Sequence, residues 1–147
     1  MKTSRKIAVR RVPLSEREVV DGVTLLLAAE RYRVRHEVPN MGQSADVVAT
    51  RGGWVTFIEA KVGNWRRAVA QCLAHEQVAD FICLAIGAAS VPEQLLAVVE
   101  SRGYGLISCR PSDLLCTWIR RPRRNPKVWA PQRRRVAALM RKIRHAC

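Results

Sequence analysis

The stretch Ala45-Asp46-Val47-Val48-Ala49-Thr50-Arg51-Gly52-Gly53-Trp54-Val55-Thr56-Phe57-Ile58-Glu59-Ala60-Lys61 decides the reading of this chain. Ala45 to Thr50 and Trp54 to Val62 are rich in β-branched and aromatic residues, and Arg51-Gly52-Gly53 lies between them, so the pair is predicted to form a hairpin. Side chains two apart on a strand share a face, which puts Glu59 and Lys61 together and turns Ala60 away. Folding back at the glycines brings Asp46, thirteen positions earlier, beside Glu59. Two converging carboxylates make an oxygen site for a hard divalent cation such as Mg2+.

Around this hairpin the chain alternates between helix and strand signals. Ser15 can cap a helix, with Leu14 and Val19 closing a staple, and Val19, Val20, Val23, Leu26 and Leu27 continue at helical spacing to about Arg31. Tyr32 to Val38 reads as a strand and Pro39 to Ser44 as a loop with Asn40 and Gly42 at its turn. A second helix is expected over about Arg66 to Ala79, then a doubly covered strand at Phe81 to Ile86. Ser90-Val91-Pro92 opens a third helix ending near Arg102-Gly103, and Tyr104 to Cys109 is a further strand. The expected fold is α/β: a three-layer sandwich with a mixed central β-sheet flanked by helices.

The 147 residues suit one core domain, read as 1–117, followed by a basic extension, 118–147, that is partly helical from about Pro131. Formal net charge is +14, from 26 Lys and Arg against 12 Asp and Glu. That excess predicts a polyanionic partner, because each cation meeting a phosphate releases condensed counterions. From Arg120 to Cys147 there is no acid, and Arg120, Arg121, Arg123, Arg124, Lys127, Arg133, Arg134 and Arg135 are the expected phosphate contacts. An amphipathic basic helix would also suit a membrane surface; phosphate contact is preferred and no membrane partner is expected. Trp118 and Trp129, next to arginine clusters, are candidates to stack on bases, whereas Trp54 more often packs on a sheet.

Cys72, Cys83, Cys109, Cys116 and Cys147 are scattered and odd in number, which argues against a disulfide framework and a thiolate zinc site. They are expected as buried small hydrophobes. Met1 to Arg11 is basic but leads into no apolar run, and Phe81 to Ala89 is too short to span a bilayer. A cytoplasmic location is the resulting expectation.

On Ser44 to Ala49, Phe57 to Lys61, Arg67 to Gln71 and Ala79 to Ile86, taken in order, the sequence resembles the PD-(D/E)XK nuclease superfamily, which includes restriction endonucleases and Holliday-junction resolvases. The likeness covers residues 15 to 109. It implies a restriction-endonuclease-like fold, dependence on Mg2+ (or Mn2+) and endonucleolytic hydrolysis of phosphodiester bonds, in DNA rather than RNA. Carried over, Asp46 and Glu59 would be metal ligands, Lys61 the catalytic lysine and Gln71 a supporting residue. Glu18 matches the family's first-helix acid, but it also stands three residues after Ser15, where a capping-box glutamate belongs. The chain departs from the family pattern at Ala45-Asp46, where Pro-Asp is usual, and at His75, where some members carry tyrosine.

A lone Glu-x-Lys is common on exposed strands, so the order of elements carries the reading. The bland alternative for Gln71, on a helix face with Arg67 and His75 opposite Val69 and Leu73, is a solvated helix face. The alternative function is a catalytically inactive nucleic-acid-binding protein that retains the nuclease fold. Cutting both strands needs two sites, which a homodimer would supply, and a protein partner could supply specificity.

Overall fold

The computed structural model describes residues 14–40 and 43–142. The basic start up to Arg11, the turn position Gly42, and Arg144, His145 and Cys147 of the basic tail lie outside those residues. Among the described residues four helices, α1 (Glu16–Ala29), α2 (Trp65–Leu73), α3 (Glu93–Arg102) and α4 (Ala130–Lys142), accompany six strands. The strands are β1 (Arg33–Asn40), β2 (Gln43–Arg51), β3 (Trp54–Lys61), β4 (Phe81–Gly87), β5 (Gly105–Cys109) and β6 (Cys116–Arg120). They form one sheet in chain order, antiparallel at β1–β2, β2–β3 and β5–β6 and parallel at β3–β4 and β4–β5. The two parallel pairings follow from the helical crossovers through α2 and α3.

The layers are set by which residues each face buries. Val47, Ala49, Ile58, Ala60, Cys83, Ala85 and Ile107 pack against Val19, Val23 and Leu27 of α1. The other face, with Val48, Phe57, Leu84 and Leu106, packs against Ala68 and Cys72 of α2, Leu95 and Val99 of α3, and Val136 and Met140 of α4. The result is an α/β sandwich, one helix on one side and three on the other. β4 is apolar throughout because both of its faces are covered. Gly22 lets α1 settle onto the sheet: a Cβ there would stand 2.5 Å from the Cys116 sulfur. No helix among the described residues is long and apolar enough to cross a membrane.

Four expectations need correction. β6 is absent from the sequence reading, and it crosses the expected boundary at 117/118. The segment beyond it is built into the fold: the Asn125 N–H donates to the Asp80 carbonyl at 2.7 Å, the Trp129 N–H to the Gln77 carbonyl at 2.6 Å, and Val136 and Met140 are core residues. β1 and β2 extend to Asn40 and from Gln43, so Pro39, Asn40, Gln43 and Ser44 of the expected loop are strand. α2 stops at Leu73, six residues early, because the carbonyls of Glu76 and Ala79 accept from Asn125 Nδ2 and that of Gln77 from Trp129. Finally, Cys109 and Cys116 are joined in a disulfide, although the number and scatter of the cysteines argue against one. They are register partners on β5 and β6, with Cα atoms 4.1 Å apart, a proximity visible only once β6 exists. Cys72 and Cys83 are free and buried, as expected of small hydrophobes.

Candidate active site

The β2–β3 ladder runs from Arg51↔Trp54 to Val47↔Ile58 and then opens. Asp46 sits just past that last pair, and its side chain takes over the role of a missing ladder partner: the Ala60 N–H donates to Asp46 Oδ2 at 2.9 Å. The neighbouring backbone is bent as well. Glu37 lies between the pairs His36↔Val47 and Val38↔Ala45, level with Asp46, and has a φ of 51°. Glutamate rarely adopts this left-handed conformation, which costs about 1–3 kcal/mol where it occurs.

The structure brings Asp46, Glu59 and Lys61 into one electrostatic neighbourhood. Burial, helped by the charge and hydrogen bond of Glu59, pushes the Asp46 carboxyl up to about 6 against the opposing pull of the Ala60 N–H and the Lys61 ammonium. Glu59 is only 2% exposed, and its Oε1 lies 2.6 Å from Nε2 of the wholly buried His75. His75 in turn sits edge-on to Phe57, with ring centroids 4.9 Å apart. Lys61, the last residue of β3, reaches the other helical layer, with its Nζ 3.3 Å from Glu16 Oε1.

The α1 acid that touches Lys61 is therefore Glu16, which sequence reasoning missed. Glu18 builds the capping box: Ser15 N–H and O–H donate to its Oε1, each at 3.2 Å, and its own N–H donates to Ser15 Oγ at 3.1 Å. Glu16 heads α1 one residue beyond the cap, so its side chain is left for the sheet edge. A cleft of about 270 Å³, lined by Glu16, Asp21, His36, Glu37 and Asp46 among others, opens here.

Gln71 lies on α2 with Ala68 and Cys72 toward the sheet, one turn before His75, and its Oε1 is buried without a hydrogen-bond partner among the described residues. The expectation that Val69 and Leu73 form the opposing apolar face fails, since Leu73 is 41% exposed. The packed face of α2 is Ala68 and Cys72; Arg67 is exposed, and His75, just beyond the helix end, is the polar residue that meets Glu59.

Most of the predicted phosphate contacts have partners within the fold. Arg121 pairs with Glu30, which also accepts from Trp118 Nε1 at 2.8 Å, so Trp118 is a packed residue. Arg120 lies 3.6 Å from Glu100, Arg123 donates to the Glu100 carbonyl at 2.8 Å, and Lys127 Nζ is 3.1 Å from Glu76. Arg124 stacks over Trp54, and Arg133 Nε donates to both Asp80 oxygens at 2.9 and 3.0 Å. Arg134, Arg135 and Trp129 are exposed.

The donors that could hold a divalent cation are the carboxylates of Asp46 and Glu59. Among the described residues no group of three or more His, Cys, Asp or Glu is placed to hold a metal. Two carboxylates suit Mg2+ nonetheless, since that ion keeps several waters and takes substrate phosphate oxygens as ligands. Gln71 Oε1 remains a buried acceptor with no partner among the described residues.

Comparison with known proteins adds the fold alone. Neither a protein-family description nor a curated protein matches the sequence. A solved structure does: a protein of unknown function from Silicibacter pomeroyi, 19% identical, with a TM-score of 0.64 over 86% of this chain and 84% of that one.

Proposed function

We propose that the chain is a metal-dependent nuclease on a restriction-endonuclease-like fold, hydrolysing phosphodiester bonds, in DNA rather than RNA. The observation that carries the reading is the pair Asp46 and Glu59, facing one another where β2 and β3 part, with Lys61 near enough to act on Asp46. Two acids held in contact share a proton or a cation. Asp46 and Glu59 would hold Mg2+ or Mn2+, which when bound neutralises charge on the phosphate and makes a coordinated water more acidic. Lys61 would orient the attacking water and offset charge on the phosphoryl oxygens. The water oxygen bonds to phosphorus, the bond from phosphorus to the leaving sugar oxygen breaks, and the water's protons pass to solvent and the leaving oxygen. Glu16 holds the Lys61 ammonium when no phosphate is present, and His75 fixes the orientation of Glu59.

A second reading is favoured by a specific observation. Glu59 and Lys61 are each engaged by a neighbour, from opposite helical layers, as in a retired site that binds without cutting. A cleavage assay with Mg2+ on plasmid, branched DNA and structured RNA separates the two. Wild type should cut at least one substrate, and Asp46→Ala and Lys61→Ala should lower the rate by at least about a hundredfold. Lys61→Ala should leave affinity nearly unchanged. Binding without cutting of any substrate would favour the binder.

A further inference from the structure

A cavity much larger than the cleft at Asp46 lies away from the carboxylates. Arg31, Arg33, Arg35, Arg51, Arg133 and Arg141 line a groove of about 1140 Å³ between β1, the β2–β3 turn and α4. We propose that this groove binds the phosphodiester backbone of a nucleic acid and is the protein's principal docking site for it, apart from the site of chemistry. The choice of nucleic acid among polyanions rests on the nuclease reading; the groove's affinity for phosphate does not.

Three observations carry the proposal. The first is uncompensated charge: no residue lining the groove is acidic, and Arg31, Arg33 and Arg141 are exposed and form no side-chain hydrogen bond or ion pair among the described residues. This contrasts with Arg120, Arg121 and Lys127, which pair with acids. Arg133 is paired with Asp80, but guanidinium groups such as those of Arg31, Arg33 and Arg141 gathered without such a partner repel one another, and their planar donor forks match phosphate oxygens. The second is construction. Arg133 is clamped between Asp80 and the Gly53 carbonyl, which fixes α4 against the turn, and Arg51 is held by the Glu30 carbonyl at 3.0 Å and stacked on Tyr32 at 4.2 Å. The wall at Gly53 is bare main chain, with open space where a Cβ would stand.

The third is the backbone of Arg31. It follows the α1 cap with a φ of 66°, while its N–H donates to the Ala28 carbonyl and that of Tyr32 to the Leu27 carbonyl. Glycine is the favoured residue at this position of a helix ending, so an arginine there is kept at a cost in stability.

Geometry points to a polymer. Val55 lines the groove and Glu59 lies four residues further along β3, roughly 13 Å away at about 3.3 Å per residue. The groove beside α4 and the cleft at Asp46 beside α1 lie on opposite faces of the sheet, so one phosphate group cannot occupy both and only an extended polyanion could meet both. A lipid surface fits poorly, because Val136 and Met140, the buried apolar residues of α4, are already in the core.

The test is fluorescence anisotropy of a labelled DNA duplex in EDTA, where nothing is cut, across a salt series. Arg31→Gly/Arg33→Ala/Arg141→Ala should bind at least tenfold more weakly, with a salt slope lower by about two to three. Arg66→Ala/Arg102→Ala/Arg110→Ala, which removes the same charge elsewhere, should change the slope by less than one. Arg31→Gly alone should raise the melting temperature while weakening binding, which a purely structural arginine would not do. An unchanged slope in the groove variant, an equal loss in the control, or groove-dependent binding to phosphatidylserine vesicles without duplex binding would overturn the proposal. Groove-dependent binding with no cleavage refutes the nuclease alone; cleavage with groove-independent affinity refutes the groove alone.

Discussion

Asp46 is where the chemistry of single residues is most exposed to test. Its carboxyl is pushed up to about 6 by burial and by Glu59, against the pull of Lys61. A folded-state value above the unfolded one means that folding takes up a proton, so this group's contribution to stability is fullest below about 4 and is lost as pH rises through about 6. The amide introduced by Asp46→Asn could still accept from the Ala60 N–H but does not titrate. Urea unfolding of wild type and Asp46→Asn, without metal, should therefore show the variant gaining on wild type between about pH 4 and pH 6, with no further change above. A difference independent of pH would remove the close Asp46–Glu59 contact from the account. Under the nuclease reading, Mg2+ should stabilise wild type more at pH 7.5 than at pH 5, since the proton and the cation compete for the same oxygens.

At the scale of elements, the β2–β3 hairpin was legible because Gly52-Gly53 between two β-rich runs permits little else, and register then places Asp46 by Glu59. β6 was not legible. Its five residues form an edge strand half open to solvent and merge into an arginine-rich run, so neither alternation nor apolar content marks it. The disulfide was hidden with it. The end of α2 was hidden for another reason: residues 74–79 are adequate helix formers, and Asn125 and Trp129, some fifty positions away, take their carbonyls. Asp80 is the hinge of that arrangement. Buried, it accepts from the Val55 N–H at 2.8 Å and from Arg133, joining β3 to α4. Asp80→Ala should cost about 3 kcal/mol or more in chemical denaturation, because it leaves both donors without their acceptor. Hydrogen exchange should quicken first in α4; a loss of less than about 1 kcal/mol would reduce Asp80 to the standing of an ordinary surface acid.

For the whole molecule, a net charge of +14 does not say where a polyanion lies, and in the structure Arg120, Arg121 and Lys127 of the basic segment are met by acids. Arg120 to Lys127 read as a free basic tail because the acids that meet them, Glu30, Glu76 and Glu100, are distant in sequence. The groove arginines stand out less in the sequence; Arg31, Arg33 and Arg35, alternating along and just before an edge strand, were the available sign. The integration of the C-terminal segment also changes what a truncation would mean. Deleting Arg120 to Cys147 removes the end of β6 and takes Val136 and Met140 out of the core, at about 2–5 kcal/mol for each large side chain lost. The deletion should therefore yield an unfolded or aggregating chain by circular dichroism and size-exclusion chromatography, and its failure to bind would say nothing about phosphate contacts. Arg134→Ala/Arg135→Ala removes exposed charge while sparing those contacts, and should leave the melting temperature within a few degrees of wild type. A truncated chain that stayed folded and bound the duplex would restore the tail as a separable arm and detach α4 from the architecture that shapes the groove.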